Sequence, residues 1–518
     1  MHKISPFVFA IILSLIVFYK ESAEQLIYIP SSDPIVETIE ELQVRGYLGE
    51  LSQTEKPWFV ADVAAAISKD ELAFDPLSKK IAEEVLKELL PPQRLEREQL
   101  SAGFEGGLGI RALSREKNLG YFYQRQVFVD RGYKNEFGSV YKGGFWMSKE
   151  SRWGWDTRLI FDSDGIRYPW YYGTVHNRHI IGQFDHAYIN FKFDRFGLLF
   201  GRNRFVWGPS PRGSILLDDS SPPLDMIGYS FTLKPFYLSG FGARLDDYTE
   251  PGSNIVNRRF ISGHRLRLSP GKGWEFGFSE IYIYGGPDRL PEMFYSIPIV
   301  LYYWEAQNRN LDDNAFWCFD LAWTKPGLGR LYTQINFDDI QRQHRGPQKV
   351  AVQYGAYLAP SKLPGWSGII EFNLVDTYVY GQRKRLNAYL NYGWPLARLD
   401  SDQREYFAGI YRRLGSSLKL GAEFVGRDKG WYDASDYQPD MAPLVQKFPS
   451  GIVEWTRQGA LTAKYYSNFG VKGELAVGYQ KVRNFRHWIT HTTINQFYGT
   501  LSLSYDFSLG LPFWKKYQ

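Results

Sequence analysis

The sequence predicts a mainly β fold: a transmembrane antiparallel β-barrel of about 18 strands with a small N-terminal helical domain. Three observations predict it: long segments that alternate apolar and polar residues, short connections that alternate with long ones, and an aromatic content of 17%. Alternation over about ten residues suits a tilted strand that crosses a bilayer, whereas strands of soluble sandwiches are typically shorter. The negative mean hydropathy, −0.36, does not exclude a barrel, because alternation hides the lipid-facing half of each strand.

The clearest strand pair lies between residues 313 and 340, around a short turn at Lys325–Gly329. One face of its second strand is apolar, beginning at Leu331, while the other face is polar. Phe316 and Tyr332 fall on the face predicted to point into the barrel. Such bulky inward residues favour a filled barrel over an open one.

Residues 1–23 have the features of a secretory signal peptide. A basic start at Lys3, an apolar run over Ile4–Tyr19 and small residues at Ser22 and Ala23 follow one another in the expected order. Together with the strand pattern, this segment predicts export to the outer membrane.

Residues 24–100 predict a periplasmic helical domain. Helical spacing is expected over 34–47, with Asp33 as the N-cap, and again over 57–68 and 76–90. Prolines 91 and 92 should stop the third helix.

The charge of this domain differs from that of the remaining chain. Residues 24–100 contain 8 Lys+Arg and 16 Asp+Glu, a net charge of −8. Residues 101–518, the predicted barrel with its long extracellular loops, carry +12. A basic barrel suits an anionic polymer at its surface, or anionic lipid head groups around its rim.

Nineteen segments have strand-like patterns, among them 101–112, 120–130, 229–239 and 241–247. Eight short turns, one of them predicted at Leu238–Phe241, alternate with connections that are generally longer. This alternation is typical of barrels with tight periplasmic turns and long outward loops. A chain that enters and leaves on the periplasmic side needs an even number of strands, so 101–112 is left out as the extra segment. The alternative is that one strand elsewhere is misassigned.

Four segments carry a resemblance to a known family: Gly201–Pro223, Phe260–Pro270, Asp312–Gln341 and, in the helical part, Pro34–Leu48. Together with the order of signal peptide, acidic helical domain and aromatic-rich barrel, they resemble the Wzi capsule-assembly family of outer-membrane proteins. The resemblance implies a barrel of the same strand number with a helical bundle on its periplasmic side. It also implies a surface lectin that holds capsular or related polysaccharide to the cell. One departure is the C-terminus, which runs past Phe507 to Gln518.

The sequence shows no enzyme signature: it lacks a G-x-S-x-G elbow, an H-E-x-x-H zinc helix and a phosphate-binding P-loop. His176 and His179 share a predicted loop, but without a nearby carboxylate they are better explained as solvated histidines than as metal ligands. Ser262 and His264 have no recognisable orienting acid near them in the sequence. The single Cys318 excludes a site built from several cysteines. No enzymatic activity, metal or cofactor is therefore predicted.

Aromatic and charged residues of the long connections form the candidate polysaccharide-binding set. Sugar rings stack their C–H faces on aromatic rings, while carboxylates, amides and guanidinium groups bind their hydroxyls. The alternative for each residue is loop packing or an interfacial aromatic belt, which such barrels also have. The predicted set is Trp170, Tyr172, Arg202, Arg204, Trp207, Tyr303, Trp304, Asp312, Asp313, Trp431 and Tyr432.

The segment 201–223 is predicted to shape the extracellular mouth. Its apolar run Ile215-Leu216-Leu217 indicates a loop that folds inward as a constriction or plug, because solvent-facing loops rarely carry such residues. Arg202 and Arg204 are expected to line the lumen.

Two functions remain open at this point. The first is a non-enzymatic lectin that binds capsular or exopolysaccharide, and the second is a diffusion porin for sugars or anions with an open lumen. An outer-membrane phospholipase is a distant third. The expected partners are the polysaccharide, outer-membrane lipids and the outer-membrane barrel assembly machinery, whereas nucleic acid is not expected.

Overall fold

The structure, a computed structural model, describes most of the chain. The described residues are 26–89, 100–115, 122–123, 126–127, 135–149, 152–163, 181–311, 313–339, 349–436, 447–467, 470–487 and 493–511. The predicted signal peptide at residues 1–23 lies outside them.

Eighteen antiparallel strands form one closed barrel, as predicted. Each strand pairs with its sequence neighbour, and β1 pairs with β18 to close the sheet. The strands are β1 Leu100–Arg115, β2 Asn135–Lys149, β3 Trp153–Asp162, β4 Ile181–Phe193, β5 Phe196–Asn203, β6 Leu224–Leu233, β7 Phe236–Arg244, β8 Val256–Gly271, β9 Trp274–Pro287, β10 Asn314–Lys325, β11 Gly329–Asp339, β12 Lys349–Leu358, β13 Trp366–Val375, β14 Gln403–Leu414, β15 Leu418–Lys429, β16 Glu454–Tyr466, β17 Val471–Arg483 and β18 Thr493–Leu511. Short turns join the strands at one end of the barrel and longer connections at the other, here called the short-turn end and the long-loop end.

The strand number was predicted correctly, but the segment to be left out was not. Residues 101–112 belong to β1, which pairs with both β2 and β18 and so closes the barrel. Within 120–130, the described residues form only a two-residue pairing of Phe122–Tyr123 with Gln126–Val127, separate from the barrel. The extra segment is therefore 120–130 and not 101–112, and the barrel keeps an even number of strands.

The turn predicted at Leu238–Phe241 is also wrong, because β6 and β7 meet at Lys234 and Pro235. Proline fits a turn, since it has a fixed φ and no backbone N–H. Glycines near residue 240 suggested a turn, yet Gly240 lies inside β7. A Cβ there would stand 2.3 Å from the Tyr229 hydroxyl oxygen, so glycine makes room for that side chain.

Side chains alternate between the two faces of the wall as expected. Phe316 and Tyr332 point inward and are buried, whereas Phe319 and Leu331 point outward and are exposed. Outward apolar residues recur around the barrel and form the belt that a transmembrane barrel presents to lipid. Members of this belt include Phe104, Phe231, Leu266, Phe276, Phe319, Leu331, Tyr354, Ile370, Ile410, Phe424, Leu461, Leu475, Phe497 and Leu503.

Three helices pack together at the short-turn end: α1 Ile35–Val44, α2 Val60–Asp70 and α3 Pro76–Leu89. Their shared core includes Ile39, Leu42, Val63, Ile81 and Val85, all buried. Asp33 accepts a hydrogen bond from the Ile35 N–H at 3.0 Å, which caps α1 close to the predicted start. Within the described part of the chain, no helix is both long enough and apolar enough to cross a membrane.

Ion pairs join these helices to the inner wall of the barrel. Glu41 binds Arg413 at 2.7 Å, and Glu37 binds both Lys419 at 2.8 Å and Lys464 at 2.6 Å. Burial alone would raise the pKa of Glu41, but attraction to Arg413 and Lys419 holds that pKa well below its usual range. The pKa of Glu37 is lowered in the same way, because Lys419 and Lys464 outweigh its burial.

Candidate functional site

Two long connections fold from the long-loop end into the lumen: residues 204–223 and 376–402. Val206–Trp207 of the first pairs in antiparallel register with Glu55–Lys56, so the connection reaches the helical region. Ile215, Leu216 and Leu217 are fully buried inside the barrel. The prediction that this apolar run folds inward is confirmed.

Inward amides of β11 hold the first connection in place. Gln334 donates from Nε2 to the Trp207 carbonyl oxygen at 2.7 Å, and its Oε1 accepts from the Ile215 N–H at 3.1 Å. Asn336 donates to the Ile215 carbonyl oxygen at 3.4 Å, and the Tyr380 hydroxyl of the second connection binds the same oxygen. The polar face of the strand pair 313–340 therefore serves lumen packing.

A buried charge cluster joins both connections to the wall. Arg212 and Arg398 both bind Glu405, at 2.7 and 2.8 Å, and both lie near Glu371. Burial would lower the pKa of Arg212, but attraction to Glu405 and Glu371 raises it above its usual value, so the arginine stays charged. These pairs fix both connections, 204–223 through Arg212 and 376–402 through Arg398, to the wall strands β13 and β14.

Residues 381–387 cross the mouth of the barrel at the long-loop end. On one side, Arg259 donates to the Leu386 carbonyl oxygen at 2.6 Å and Asn314 donates to that of Asn387 at 3.1 Å. On the other side, Arg385 donates to the Ser435 carbonyl oxygen. Arg383 and Lys384 lie between Gln382, which donates to Asn314 at 2.9 Å, and the anchor at Arg385. Both are exposed, so residues 383–385 form a basic segment at the mouth, here called the basic crossing.

Trp431 and Tyr432 belong to the segment that contacts the basic crossing through Ser435, whose carbonyl oxygen accepts from Arg385. The Trp431 side chain is 58% exposed, although its ring rests on the backbone of Gly451. Tyr432 packs against Tyr378 with a ring-centroid distance of 5.0 Å. Burial and the neighbouring Tyr432 raise the pKa of Tyr378, which therefore remains a neutral phenol at physiological pH. The indole ring of Trp431 is thus exposed to solvent on one face and supported by Gly451 on the other.

Asp402 organises the support under Trp431. Its buried carboxylate accepts hydrogen bonds from the Tyr432 N–H at 3.1 Å and from the Ser450 N–H at 3.0 Å. The Thr377 hydroxyl also donates to it, at 3.0 Å. One carboxylate therefore joins the second lumen connection to the segments that flank Trp431, which pre-organises this part of the mouth.

Of the eleven residues predicted from sequence, Trp431 and Tyr432 come together at the mouth. Trp170, Tyr172 and Asp312 lie outside the described residues.

Arg202 and Arg204 were expected to line the lumen, and neither of them does. Arg202 lies on the outer face of β5, where its guanidinium binds Asp225 at 2.7 Å. It points outward because it has the parity of the exposed Phe200. Arg204 is mostly buried and binds Asp185 at 2.6 Å, so it serves loop packing.

The other four predicted residues are also placed away from the mouth surface. Trp207 is only 1% exposed because it lies inside the lumen connection and packs against Phe241. The Asp313 carboxylate is used by Arg289 at 2.6 Å. Tyr303 and Trp304 lie in a segment that covers the outer wall of the barrel, described below.

The basic crossing at Arg383, Lys384 and Arg385 was missed at the sequence level. Three consecutive cations within a long predicted connection were the available signal. No aromatic residue adjoins this run, so it does not match the pattern of aromatic residues with flanking charges that predicts the candidate set.

Two clusters with catalytic or metal-binding residue types do not form such sites. His264 does have an acid partner, Glu280, at 3.2 Å, which corrects the expectation that none is near. However, the Ser262 hydroxyl pairs with the Tyr284 hydroxyl at 3.3 Å. Both His264 and Glu280 are buried on the outer wall.

The second cluster joins Glu105, Asp156 and His186, whose ligand-type atoms lie within 4.8 Å of one another. Arg158 already donates to Glu105 at 2.7 Å, and His186 lies 3.0 Å from Asp156. Its carboxylates are therefore compensated by side chains of this chain, and we assign no metal to it.

Comparisons with known proteins agree with this architecture. A family model described as "Capsule assembly protein Wzi" matches residues 133–487. The Escherichia coli protein Wzi, described as an outer-membrane protein involved in group 1 capsule assembly and as a carbohydrate-binding β-barrel, has a similar structure. The TM-score is 0.62 at 14% sequence identity, with 93% of this chain and 100% of that chain covered.

Two further solved structures are similar at lower TM-scores. Pseudomonas aeruginosa OprD matches with a TM-score of 0.45 at 8% identity, covering 79% of this chain and 95% of its own. Acinetobacter baumannii OccAB4 matches with a TM-score of 0.45 at 8% identity, covering 79% of this chain and 98% of its own. No curated protein matches the sequence.

Proposed function

The chain belongs to the family of the capsule assembly protein Wzi, and on that premise we propose that it binds a capsular or related surface polysaccharide and holds it to the outer membrane. The proposed site is the mouth at the long-loop end, formed by Arg383, Lys384, Arg385, Trp431 and Tyr432. The role is one of binding, without a chemical reaction.

The observation that carries this proposal is the pairing of a supported, exposed tryptophan with a basic crossing. An indole ring offers a flat face for the C–H side of a sugar ring. Guanidinium and ammonium groups bind the carboxylates or other anionic groups of an acidic polysaccharide. The rigid support under Trp431 reduces the entropy lost on binding, because the ring is already held in place.

The orientation follows from the same premise. The long-loop end faces outward, and residues 24–100 form a domain on the periplasmic side after removal of residues 1–23 as a signal peptide. The belt of outward apolar side chains contacts outer-membrane lipids. Insertion of a barrel of this kind requires the outer-membrane barrel assembly machinery.

One observation favours the alternative, a diffusion porin for sugars or anions. Inward positions of β16 and β18 carry small residues, including Ala460, Ser502 and Ser504, and these are half-exposed. The described lumen is therefore packed on the side of β8–β14 and less densely packed on the opposite side. A large and stable conductance in a planar bilayer would support the porin function.

The test is direct binding of the purified protein to the organism's own surface polysaccharide. The double variant Arg383→Ala/Lys384→Ala is expected to bind at least about tenfold more weakly, a loss of about 1.4 kcal/mol. The matched control is Lys79→Ala/Lys80→Ala, which removes the same charge from an exposed face of α3 at the opposite end. Equal affinities of the two double variants would contradict the proposed site.

The cellular role is tested separately, in a deletion strain. Complementation with the wild-type gene should restore attached polysaccharide, measured as the cell-bound fraction after washing. A deletion strain that keeps its polysaccharide firmly attached would contradict the anchoring role.

A further inference from the structure

Residues 288–311, here called the strap, lie on the outer wall of the barrel. Tyr295 packs on Tyr282 and Tyr284 with ring-centroid distances of 4.9 and 4.7 Å, and Tyr302 packs on Tyr282 at 6.0 Å. These wall residues share the outward parity of the exposed Phe276 of β9, while Ile281 and Ile283 between them belong to the lumen core. The strap therefore folds back over the outside of the barrel.

A clamp at its base holds the strap down. Arg289 binds Asp313 through both guanidinium nitrogens, at 2.6 and 2.8 Å, and the Tyr295 hydroxyl donates to the same carboxylate at 2.9 Å. Arg289 and Asp313, which lie near opposite ends of the connection between β9 and β10, are thereby joined.

Beneath the strap, the outer wall carries a contact between a carboxyl group and an imidazole. Glu280 binds His264 at 3.2 Å and accepts hydrogen bonds from the backbone N–H groups of Tyr302 at 2.7 Å and Tyr303 at 2.9 Å. The Trp317 indole donates to it as well, at 2.9 Å. The strap thus supplies two of the donors that satisfy a carboxylate at an outward position.

The contact between Glu280 and His264 sits within the height of the lipid-facing belt. Glu280 lies six residues from Trp274, where β9 begins at the short-turn end. Ile227 and Phe319 lie six residues from the short-turn ends of β6 and β10, at Leu233 and Lys325, and both are apolar and exposed. Polar side chains that point outward at such a height are unfavourable next to hydrocarbon, and here the strap covers them.

The outer surface of the strap is apolar. Residues 293–304 contain no charged side chain. Met293 and Ile299 are 82% and 84% exposed, and Ile297, Leu301 and Trp304 are exposed as well. Polar character returns directly afterwards, in α4 Tyr302–Asn308, where Glu305 pairs with Arg309 at 2.6 Å.

We propose that the strap is seated in the outer leaflet of the membrane, with residues 293–301 in contact with lipid acyl chains and the Glu305–Arg309 turn at the head groups. An apolar surface of this extent is unfavourable in water, and it continues the belt at the height of Ile227. The Tyr303 N–H binds Glu280 at the height of the belt, so the exposed Trp304 beside it is expected to contact lipid as well.

Site-directed spin labelling in proteoliposomes tests the proposal. Single cysteines are introduced at Met293, Ile299, Ile227 and Asn254, labelled with a nitroxide, and compared for collision with oxygen and with a water-soluble nickel complex. Ile227 is the control for lipid and the exposed Asn254 is the control for water. Wild-type protein, whose only cysteine is the buried Cys318, reports background labelling.

Labels at Met293 and Ile299 are expected to follow the label at Ile227, with high oxygen and low nickel accessibility. If either label follows Asn254 instead, the strap lies in water and the proposal is overturned. The four positions are exposed in the folded chain, so the labels leave the barrel core unchanged.

Discussion

Trp431 is open to solvent because of the residue that supports it. Gly451 has a φ of +60°, and a Cβ on it would stand 2.5 Å from Cε3 of the Trp431 ring. Trp207 is the same residue type in another long connection, yet it is buried. Neighbours that are distant in sequence decide which aromatic residue can meet a ligand.

Replacing Gly451 with alanine is expected to displace the Trp431 ring and weaken polysaccharide binding about fivefold, close to 1 kcal/mol. The control is Gly393→Ala, because Gly393 also has a positive φ, +73°, but nothing lies within 4 Å of its Cβ position. Both variants carry similar backbone strain, so a difference in affinity reports the ring displacement. An equal loss of affinity in the two variants would assign the effect to backbone strain.

Glu280 is expected to be a strong determinant of barrel stability. Glu280→Ala removes the partner of His264 and of three N–H donors, and unpaired buried polar groups cost about 1–3 kcal/mol each. A fall of about 3 kcal/mol or more in the free energy of unfolding by urea, measured in detergent, is expected. Glu305→Ala is the control, since its exposed pair with Arg309 contributes about 0.5 kcal/mol or less. A result below 1 kcal/mol for Glu280→Ala would show that the pair is replaceable.

At the scale of elements, α1 depends on charge for its attachment to the wall. The pKa values of Glu37 and Glu41 are depressed in the folded protein, so these carboxylates stabilise attachment above their usual pKa near 4.5. That stabilisation is lost progressively as the pH falls below this value toward the folded pKa. Acid should therefore loosen the helical region before the barrel wall, whose hydrogen bonds do not titrate.

This acid response is measurable as a distance between spin labels on Lys80 of α3 and Lys362 of the turn before β13, both exposed. The distance distribution is expected to be narrow at pH 7 and to broaden at about pH 3. Glu41→Gln should broaden it already at pH 7, since it removes the charge opposite Arg413 while keeping the shape. The control Glu83→Gln alters an exposed carboxylate of α3 and should leave the distribution unchanged. An unchanged distribution at pH 3 would mean that apolar packing alone holds the helices.

The elements that sequence patterns predicted best are those that depend on local rules. The pair β10–β11 was recognisable because its residues alternate and its turn contains Pro326 and two glycines. The start of α1 followed from Asp33 and Pro34. The β6–β7 turn was misplaced because glycine in a strand, as at Gly240, makes room for a neighbouring ring that the sequence does not reveal.

At the scale of the molecule, the charge separation has a use that composition alone did not show. The −8 of residues 24–100 and the +12 of the remaining chain predicted an anionic partner for the barrel. Part of the barrel's positive charge is used inside the molecule, where Arg413, Lys419, Lys464 and Lys472 bind acidic residues of the helical region. The exposed Arg383 and Lys384 at the mouth are the cations that we propose for binding an external anion.

The direction in which a long connection folds was only partly predictable. Ile215-Leu216-Leu217 and Ile297-Pro298-Ile299 are both apolar runs in outer connections, yet the first enters the lumen and the second lies on the outer wall. An apolar run reveals that a connection avoids water, and both the lumen core and the lipid provide such surroundings. The partners decide between them: Gln334 and Asn336 bind the first connection, and Tyr282 and Tyr284 receive the second.

The lumen packing leads to a prediction about conductance. Wild-type protein is expected to show no large, stable conductance in a planar bilayer, because the connection 204–223 reaches from the long-loop end to Glu55–Lys56. Asn203 and Leu224 are direct partners on β5 and β6, so a four-residue Gly/Ser turn can replace residues 204–223 without disturbing the wall. This shortened variant should conduct in discrete steps, whereas replacing the exposed turn at 250–254 should not. A wild-type protein that already conducts as strongly as the shortened variant would establish diffusion through the lumen, and the mouth would then be the entrance to a pore.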